Sequence, residues 1–200
     1  MGDNPSWRKG LLRASERPEK QLYSDDLIVI LADHAPKGRF HYLVLPKAPI
    51  DTVEDLTPSH IPLLRYMMAK SEKFIEREIR PKTRCDVLMG FHIVPTFIRL
   101  HLHLISNDFD APGMKSTYAW GSFTTDFFMH PEKAISILES KGRIEIDPVE
   151  ACEVRGDNSS ILSCHGCKEK FSDLAELKSH IRIHDKDNIY NIKNETGPIS

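Results

Sequence analysis

A strict alternation of leucine with nitrogen-bearing side chains runs through the middle of the chain, in the segment RLHLHL at 99–104. Neighbouring side chains of a β-strand point to opposite faces of the sheet, whereas a helix would scatter this pattern around its circumference. The leucines therefore predict a strand with one face buried in a core. The opposite face would present Arg99, His101 and His103 in one row.

The histidines of this row have three possible interpretations. An isolated His-x-His is often only the polar outer face of a strand, and it can also supply two zinc ligands. However, His41 and His92 fall in two other predicted strands, and no Asp, Glu or Cys stands beside His101 or His103 to complete a metal site. The charges expected nearby are cations, namely Lys37, Arg39 and Arg99. Neutral imidazoles among cations indicate an anion site, for which phosphate is the expected ligand.

Periodicity along the rest of the chain predicts an α+β fold with a mostly antiparallel sheet and flanking helices. The predicted strands span 27–32, 39–46, 87–95, 100–106 and 142–148. The predicted helices span 5–17, 57–80 and 131–138, and the segment 122–128 leads into the last of them. A polar, turn-rich stretch at 156–160 marks the expected boundary between a catalytic domain, 1–155, and a C-terminal module, 156–200.

The C-terminal module carries the spacing of a Cys2His2 zinc finger. The pattern Cys-x2-Cys-x12-His-x3-His is formed by Cys164, Cys167, His180 and His184. It places two thiolates on a turn and two imidazoles one helical turn apart. Phe171 and Leu177 occupy positions where such a finger needs apolar residues, so we expect a structural zinc ion. His165, between the two cysteines, is expected to be exposed rather than a ligand.

The finger is predicted to contact DNA without reading its sequence. The usual base-reading positions of its helix hold Asp173, Glu176 and Ser179, none of which suits guanine. Lys178 and Arg182 are better placed to contact backbone phosphates, and such contacts do not depend on sequence. A finger that only packs against the catalytic domain is the alternative.

Composition bears on the expected partners. The formal net charge is −2, and no apolar run approaches the roughly 20 residues that a membrane helix needs, so no membrane partner is expected. The first twenty residues are nevertheless basic, and Trp7 stands early in the helix predicted there. This charge suits either a polyanion or the solvated face of a helix.

Three blocks of sequence carry a family resemblance. DHAPKGRFHYLVLP (33–46), GFHIVP (90–95) and LHLHLISNDFDAP (100–112) are similar, in order and spacing, to segments of the histidine-triad superfamily of nucleotide hydrolases and transferases. The chain resembles the DNA-deadenylase branch of that superfamily in particular, from about Trp7 to the C-terminal finger. The resemblance implies a histidine-triad-like domain followed by a zinc-finger module.

The resemblance also implies a role for each polar residue of the site. His101 would attack the adenylate phosphorus, and His103 and His41 would hold and polarise the phosphate oxygens. His92 would protonate the oxygen of the leaving 5′-phosphate. The remaining substrate contacts would be made by Asp33 to the ribose hydroxyls, Lys37 and Thr96 to phosphate, and Trp7 to exposed bases at a nick.

Arg99 departs from the superfamily pattern, in which the first position of the triad is usually His. An arginine stays protonated and cannot relay a proton as a neutral imidazole can. It could still contact phosphate or support His101 from the same face of the strand. We therefore expect Arg99 among the substrate-binding residues.

By resemblance, the expected function is repair of DNA. The enzyme would hydrolyse AMP from 5′-adenylated nicked or double-stranded DNA through a covalent adenylyl-histidine, with structural zinc and with no metal needed for catalysis. We expect a monomer in the nucleus. The alternatives are a hydrolase of adenosine phosphoramidates or dinucleoside polyphosphates, and a non-catalytic adaptor that binds nucleotide and DNA.

Overall fold

A computed structural model describes the backbone of residues 6–155 and 162–195, and the side chains of 8–155 and 162–184. The strands of the larger part are β1 (Gln21–Ser24), β2 (Ile28–Ala32), β3 (His41–Pro46), β4 (Val87–His92), β5 (Leu102–Ser106) and β6 (Phe128–Met129). Its helices are α1 (Gly10–Ser15), α2 (Ile61–Phe74), α3 (Thr117–Thr124), α4 (Pro131–Lys141) and α5 (Pro148–Arg155). The finger adds β7 (Leu162–Ser163), β8 (Lys170–Phe171) and α6 (Leu174–Glu195).

Six of these strands form one antiparallel sheet in the order β1-β2-β3-β5-β4-β6. The strand that carries the leucine–histidine alternation, β5, lies in the middle of this sheet, with β3 on one side and β4 on the other. His103 is paired with Leu43 of β3 and with Gly90 of β4. The predicted α+β architecture with a mostly antiparallel sheet is confirmed.

One face of the sheet is covered by α2 and α4 and forms the main core. Leu100, Leu102 and Leu104 are all buried in this core, together with Ile30 and Val44 of the neighbouring strands. The helix α2 contributes side chains at helical spacing, and the chain continues beyond it through a π-helical turn, Ile75–Ile79. The leucines of the alternation therefore anchor β5, as their period of two predicts.

The opposite face of the sheet is covered in two separate places. The short helix α1 packs its Leu11 and Ala14 on Leu31 and Leu43, over β2 and β3. The helix α3 and the finger pack together around Ile105, which follows His103 on the same face of β5. The histidine side chains of β5 lie between these two covers.

Two segments that were assigned wrongly or missed lie at the ends of the sheet. The predicted strand at 142–148 is not a strand, because α4 ends at Gly142 in a left-handed turn (φ 77°) and the following residues pair with no strand of the described chain. Ile144 is buried in the main core all the same, so its apolar pattern reflects packing rather than pairing. At the other end, β1 pairs with β2 but is too short and too polar to give a strand signal.

Two helices, α3 and α5, were also missing from the prediction. The helix α3 begins at the N-cap Ser116, whose hydroxyl accepts a hydrogen bond from the Ala119 amide (3.1 Å). The sequence predicts only a loop to residue 117 and a segment at 122–128 that leads into the next helix, and Trp120, Gly121 and Phe123 do not favour a helix by intrinsic propensity. Tertiary packing decides the outcome here, because Trp120 and Phe123 are buried against the finger.

The finger docks on the catalytic domain. Leu162, Leu177 and Ile181 of the finger share one buried cluster with Phe109 and Trp120. His165 packs its ring against the same two aromatic residues, with centroid distances of 5.1 and 5.8 Å, so the expectation of an exposed side chain was wrong. The predicted boundary at 156–160 lies outside the described residues.

Two cations of the finger are engaged within the protein. The guanidinium of Arg182 donates to both carboxylate oxygens of Asp110, at 2.8 and 3.1 Å, and the ammonium of Lys178 lies 3.9 Å from the same carboxylate. The Arg182 hydrogen bonds hold the pKa of Asp110 below its usual range. These two side chains, which were expected to contact DNA phosphates, are engaged by Asp110, whose single negative charge offsets one of their two positive charges.

Of the helices in the described part of the chain, none is both long and apolar enough to span a bilayer.

Gly121 is expected to be required for the contact between α3 and α5. A Cβ atom at this position would overlap the carbonyl oxygen of Arg155, a backbone atom that cannot move alone. We expect Gly121→Ala to lower the free energy of unfolding by about 1–3 kcal/mol, because the substitution overpacks this contact. Urea unfolding measures the effect. Gly10→Ala is the control, since its Cβ would meet only Phe97 at 3.8 Å; equal stabilities of the two variants would contradict the prediction.

Candidate active site

A cavity of about 550 Å³ opens on the face of the sheet between α1 and α3. We call it the histidine cavity, because His92, His101 and His103 lie in its wall. Leu11, Ala14, Leu31 and Leu43 line one end, over β2 and β3, and Tyr118, Ala119 and Ser122 line the other, on α3. Val94, Thr96 and Phe97 also line the cavity, and Thr96 lies beside the N-terminal segment, because the Arg8 guanidinium donates to its carbonyl oxygen (3.0 Å). The sheet order explains this division, because β2 and β3 lie on one side of β5 and β4 lies on the other.

The ring of His101 is held by the backbone that precedes it. Its Nδ1 lies 2.8 Å from the carbonyl oxygen of Arg99. A carbonyl oxygen can only accept a hydrogen bond, so Nδ1 carries the proton and donates it. The neutral ring then has an unprotonated Nε2, which is the nucleophilic atom of an imidazole. His101 is 7% exposed, and it meets solvent through the histidine cavity.

A chain of hydrogen bonds orients His103 through His41. The peptide N–H of Lys37 donates to His41 Nδ1 (3.2 Å), which leaves the proton of His41 on Nε2. That Nε2 lies 2.9 Å from His103 Nδ1 and donates to it. The proton of His103 is then on Nε2, an atom that is buried and has no hydrogen-bond partner within the described protein. A buried donor without a partner at the wall of a cavity is suited to an anionic ligand.

His92 and His103 pack against each other and against one aromatic side chain. Their ring centroids are 4.4 Å apart, and the ring of Phe123 lies 4.7 Å from His92 and 5.3 Å from His103. Nε2 of His92 is also buried without a hydrogen-bond partner in the described protein. Phe123 belongs to α3, so the position of that helix fixes the arrangement of these two histidines.

Burial keeps all four histidines neutral at physiological pH. It lowers the pKa of His41 to about 4 and lowers the pKa values of His92 and His103 well below the usual range. Burial also lowers the pKa of His101, although the hydrogen bond to the Arg99 carbonyl opposes that change. A histidine that stays neutral keeps its lone pair available for attack.

Asp33 and Lys37 lie at the end of the cavity that is lined by β2 and β3. Burial raises the pKa of Asp33, but at the low pH where this carboxyl titrates His41 is protonated, and its charge and that of Lys37 outweigh burial, so that the pKa of Asp33 lies below its usual range. Asp33 Oδ2 is 3.8 Å from the ammonium of Lys37 and 3.4 Å from His41 Nδ1. Both Asp33 and Lys37 line the histidine cavity, as does Thr96.

Asp33, His41 and His103 are close enough together to be considered as a metal site. No acidic residue stands beside His101 or His103 in the sequence, and the fold brings Asp33 next to His41. However, the imidazole of His41 lies between the other two groups, with Nδ1 facing Asp33 and Nε2 bonded to His103. The three groups therefore do not converge on one point, and the ammonium of Lys37 would repel a cation. The arrangement fits an anion site better than a metal site.

Two residues that were predicted to contact the substrate, His41 and Arg99, lie elsewhere in the structure. His41 does not line the histidine cavity, and its two ring nitrogens are engaged by Lys37 and His103, so it supports His103 rather than reaching a phosphate. Arg99 has a left-handed backbone (φ 82°) that ends the alternation before the strand begins. Its guanidinium therefore faces away from the cavity and donates to the Ala48 carbonyl (2.7 Å).

Several residues of the cavity were not expected from the sequence. His34, Phe97, Tyr118, Ser122 and Phe123 all line it. The last three lie on α3, whose start was signalled by the N-cap serine that precedes it. Trp7 was predicted as a substrate contact, and its side chain lies outside the described residues.

The zinc-finger residues come together as predicted. The ligand atoms of Cys164, Cys167, His180 and His184 all lie within 4.8 Å of one another. Cys167 Sγ is 3.1 Å from His180 Nε2, and the two Nε2 atoms of the histidines are 3.0 Å apart. Zinc bond lengths of about 2.0–2.3 Å imply separations of about 3.3–3.8 Å between tetrahedral ligands. The separations of 3.0 and 3.1 Å are somewhat shorter than this, and the 3.8 Å between Cys164 Sγ and His184 Nε2 lies within it. Two thiolates and two imidazoles gathered in this way fit a structural zinc ion.

The fold and the site together define a class of protein, one with a histidine cavity on an antiparallel sheet and a zinc finger docked beside it. A family model described as "Scavenger mRNA decapping enzyme C-term binding" matches residues 6–119. Another, described as "C2HE / C2H2 / C2HC zinc-binding finger", matches residues 124–187. The first match covers more than half of the chain, which therefore belongs to that family, of the histidine-triad type.

Within this class, the chain is similar to aprataxins. It is 36% identical to aprataxin of Gallus gallus over 178 residues (89% of this chain, 55% of the relative) and 34% identical to that of Danio rerio over 179 residues (89% and 53%). The chain thus spans about half the length of these curated relatives. The crystal structure of the aprataxin ortholog Hnt3 in complex with DNA has the same fold, with a TM-score of 0.73 and 24% identity, over 93% of this chain and 98% of that one.

The low pKa of His41 predicts a stability that depends on pH. An unfolded histidine has a pKa of about 6.5, so between pH 6.5 and 4 the unfolded chain binds more protons than the folded chain, and stability is lost as the pH falls. For His41 alone, whose folded pKa is about 4, the loss from pH 7 to pH 5 amounts to about 2 kcal/mol. Urea unfolding at the two pH values measures it.

Two variants isolate this effect. His41→Gln should reduce the difference between pH 7 and pH 5 by about 2 kcal/mol, because glutamine does not titrate. His130→Gln removes an exposed histidine at the start of α4 and should leave the difference as in the wild type. The same pH dependence in both variants would contradict the assignment of His41 as buried and neutral.

Proposed function

We propose that this chain hydrolyses AMP from 5′-adenylated DNA ends, with His101 as the nucleophile. The observation that carries the proposal is the hydrogen bond from His101 Nδ1 to the Arg99 carbonyl, which leaves Nε2 unprotonated at the wall of a cavity. His103 Nε2 and His92 Nε2, both buried and without a hydrogen-bond partner among the described residues, lie in the same wall. The similarity to aprataxins and the DNA in the Hnt3 complex support this choice of substrate.

In the first step, Nε2 of His101 attacks the phosphorus of the adenylate. A phosphorus–nitrogen bond forms, and the bond to the oxygen of the DNA 5′-phosphate breaks in line, so that this oxygen leaves with the electron pair. The imidazole becomes positively charged, and the Arg99 carbonyl stabilises its Nδ1–H. His103 Nε2–H donates to a phosphate oxygen as negative charge develops on it.

In the second step, water attacks the phosphorus of the adenylyl-histidine. The phosphorus–nitrogen bond breaks, its electron pair returns to Nε2 so that His101 is again neutral, and the water proton passes to solvent as AMP is released. His92 enters the reaction neutral because burial lowers its pKa. The negative phosphates of the bound substrate favour its protonated form, which would let it protonate the leaving oxygen in the first step. No metal ion is needed for either step.

The two ends of the histidine cavity suit the two halves of this substrate. The apolar end formed by Leu11, Leu31 and Leu43 would hold the adenine, with Asp33 as acceptor for the ribose hydroxyls. The opposite end, beside His92, would receive the DNA. Of the exposed cations of the N-terminal segment, Lys20 lines the cavity, and Lys9 and Arg17 would add to the attraction of the phosphate backbone.

We also propose a location, an oligomeric state and a role for the finger. The protein would act in the nucleus, where adenylated DNA ends arise, and it would act as a monomer. The finger would add DNA contacts beside the cavity. Lys178 and Arg182 would be poor candidates for those contacts, because both pair with Asp110.

Substitution of His101 provides the main test. We expect His101→Ala to lower AMP release from adenylated nicked DNA by at least about a thousandfold, because the nucleophile is removed. Quantifying AMP by chromatography gives the rate, and the zinc content should stay unchanged. His130→Ala, which removes an exposed histidine outside the cavity, is the control. Adenylate trapped covalently on the His101→Ala protein would show that another residue is the nucleophile.

The same assay separates the alternatives. A hydrolase of small adenosine phosphoramidates would turn over those compounds and leave adenylated DNA intact. A non-catalytic adaptor would shift adenylated DNA in a gel and release no AMP from any substrate.

Trp7 is proposed to stack on exposed bases at the nick or end. Base stacking on an aromatic side chain is worth roughly 1–3 kcal/mol, so Trp7→Ala should lower kcat/KM on adenylated nicked duplex about tenfold. The loss on a small adenosine phosphoramidate should be much smaller. Equal losses on the two substrates would indicate that Trp7 only anchors the N-terminal helix.

A further inference from the structure

Tyr118 is a large aromatic residue that is half exposed at the wall of the histidine cavity. It lies in the first turn of α3 and is 46% exposed, whereas Phe123 and Phe127 of the same wall are buried. Neither the similarity to relatives nor the reaction steps above give it a role. Exposure of an aromatic ring beside a reactive group requires an explanation, because burial would otherwise stabilise the fold.

The ring of Tyr118 is supported from behind by a buried arginine. The guanidinium carbon of Arg155 lies 3.6 Å from the centroid of the Tyr118 ring and 4.7 Å from that of Phe127. Arg155 is only 6% exposed, and the backbone at its carbonyl is packed against Gly121 of α3. The tyrosine ring is thereby fixed between the end of α5 and the cavity, with one face covered and the other open.

A cation on one face of an aromatic ring changes what the other face can bind. The guanidinium draws π-electron density toward itself, which reduces the repulsion between the open face and another π system. Because the ring is already held in place, little side-chain entropy is lost when a ligand stacks on it. A flat, electron-rich ring such as a nucleobase fits this surface.

The position of Tyr118 identifies which base would bind. In the sheet order, β2 and β3 lie on one side of the His101 strand, and β4 and β6, which α3 contacts, lie on the other. The adenine end is formed by Leu31 and Leu43 on the first side. Tyr118 is on the second side, with His92. In an in-line displacement the leaving group departs on the side opposite to the nucleophile, toward the acid that protonates it.

We propose that the open face of Tyr118, backed by Arg155, stacks on the base of the 5′-terminal nucleotide of the departing DNA. The proposal rests on the function proposed above and adds a subsite for the leaving group. The contact requires a base and reads no hydrogen-bond pattern, so any of the four bases would be accepted. Trp7 would make a separate contact, with the duplex stack rather than with this nucleotide.

The test combines two substitutions with two DNA substrates. Tyr118→Leu keeps an apolar cover on Arg155 and removes the π face, whereas Tyr118→Phe keeps the ring. Each is assayed on 5′-adenylated nicked DNA whose terminal nucleotide carries a base or is abasic, and on a small adenosine phosphoramidate. Leu22→Ala, which removes a comparably exposed apolar side chain (50%) outside the cavity, is the control.

We expect Tyr118→Leu to lose roughly tenfold in kcat/KM on the base-bearing DNA, as is typical for one stacked base, and Tyr118→Phe to lose much less. The loss of Tyr118→Leu on base-bearing DNA should exceed its loss on abasic DNA and on the small substrate by the same factor. The wild type should itself prefer the base-bearing DNA over the abasic DNA by about that factor.

Two results would overturn the subsite. If Tyr118→Leu lost activity equally on all three substrates, Tyr118 would only shape the cavity. If it lost none, the stacking contact would not exist. Failure of the proposed function gives a different pattern, because the wild type would then release no AMP from either adenylated DNA, and the subsite would fall with it.

Discussion

The hydrogen bond between His101 Nδ1 and the Arg99 carbonyl fixes which nitrogen of the ring can react. Without it, a neutral imidazole would exchange between two tautomers, and Nε2 would be unprotonated for only part of the time. The bond depends on an arginine with a left-handed backbone, a conformation that costs of order 1–3 kcal/mol in residues other than glycine. The guanidinium contact with the Ala48 carbonyl helps to hold this turn.

The site can be both polar and buried because the two faces of the sheet have different roles. The leucines of β5 pack into the main core, so the strand is anchored without help from the face that carries His101 and His103. Burying several imidazoles is unfavourable for their charged forms, and the low pKa values of these histidines express that cost. Nε2 of His92 and Nε2 of His103 have no hydrogen-bond partner in the part of the chain that the structure describes, and a phosphate group can satisfy both.

Helix α3, which packs with the zinc finger on the histidine-bearing face of the sheet, connects the finger to the histidines. Phe123 touches His92 and His103, and it belongs to the same buried cluster as Trp120 and the finger residues Leu177 and Ile181. The finger is tied to the loop after β5 through Asp110. The module that was predicted to hold DNA therefore also helps to build the wall of the cavity.

Local patterns determined what could be predicted from the sequence. The period of two in β5 and the ligand spacing of the finger are local features, and both are confirmed in the structure. The turn at Arg99 could not be predicted, because it depends on a contact with Ala48, far away in the chain. The same holds for the pairing of Arg182 with Asp110 and for the place of His41 behind His103, since both are set by tertiary packing. The apolar alternation at 142–148 was misleading, because Ile144 is buried without pairing in a sheet.

The protonation state of His101 tests the central claim most directly. Nitrogen NMR of protein labelled with ¹⁵N in its histidine rings distinguishes protonated from unprotonated ring nitrogens. At pH 7 the His101 ring should be neutral, with the proton on Nδ1 and a bare Nε2. A ring protonated on Nε2, or on both nitrogens, would contradict the account, since it would have no lone pair to attack phosphorus.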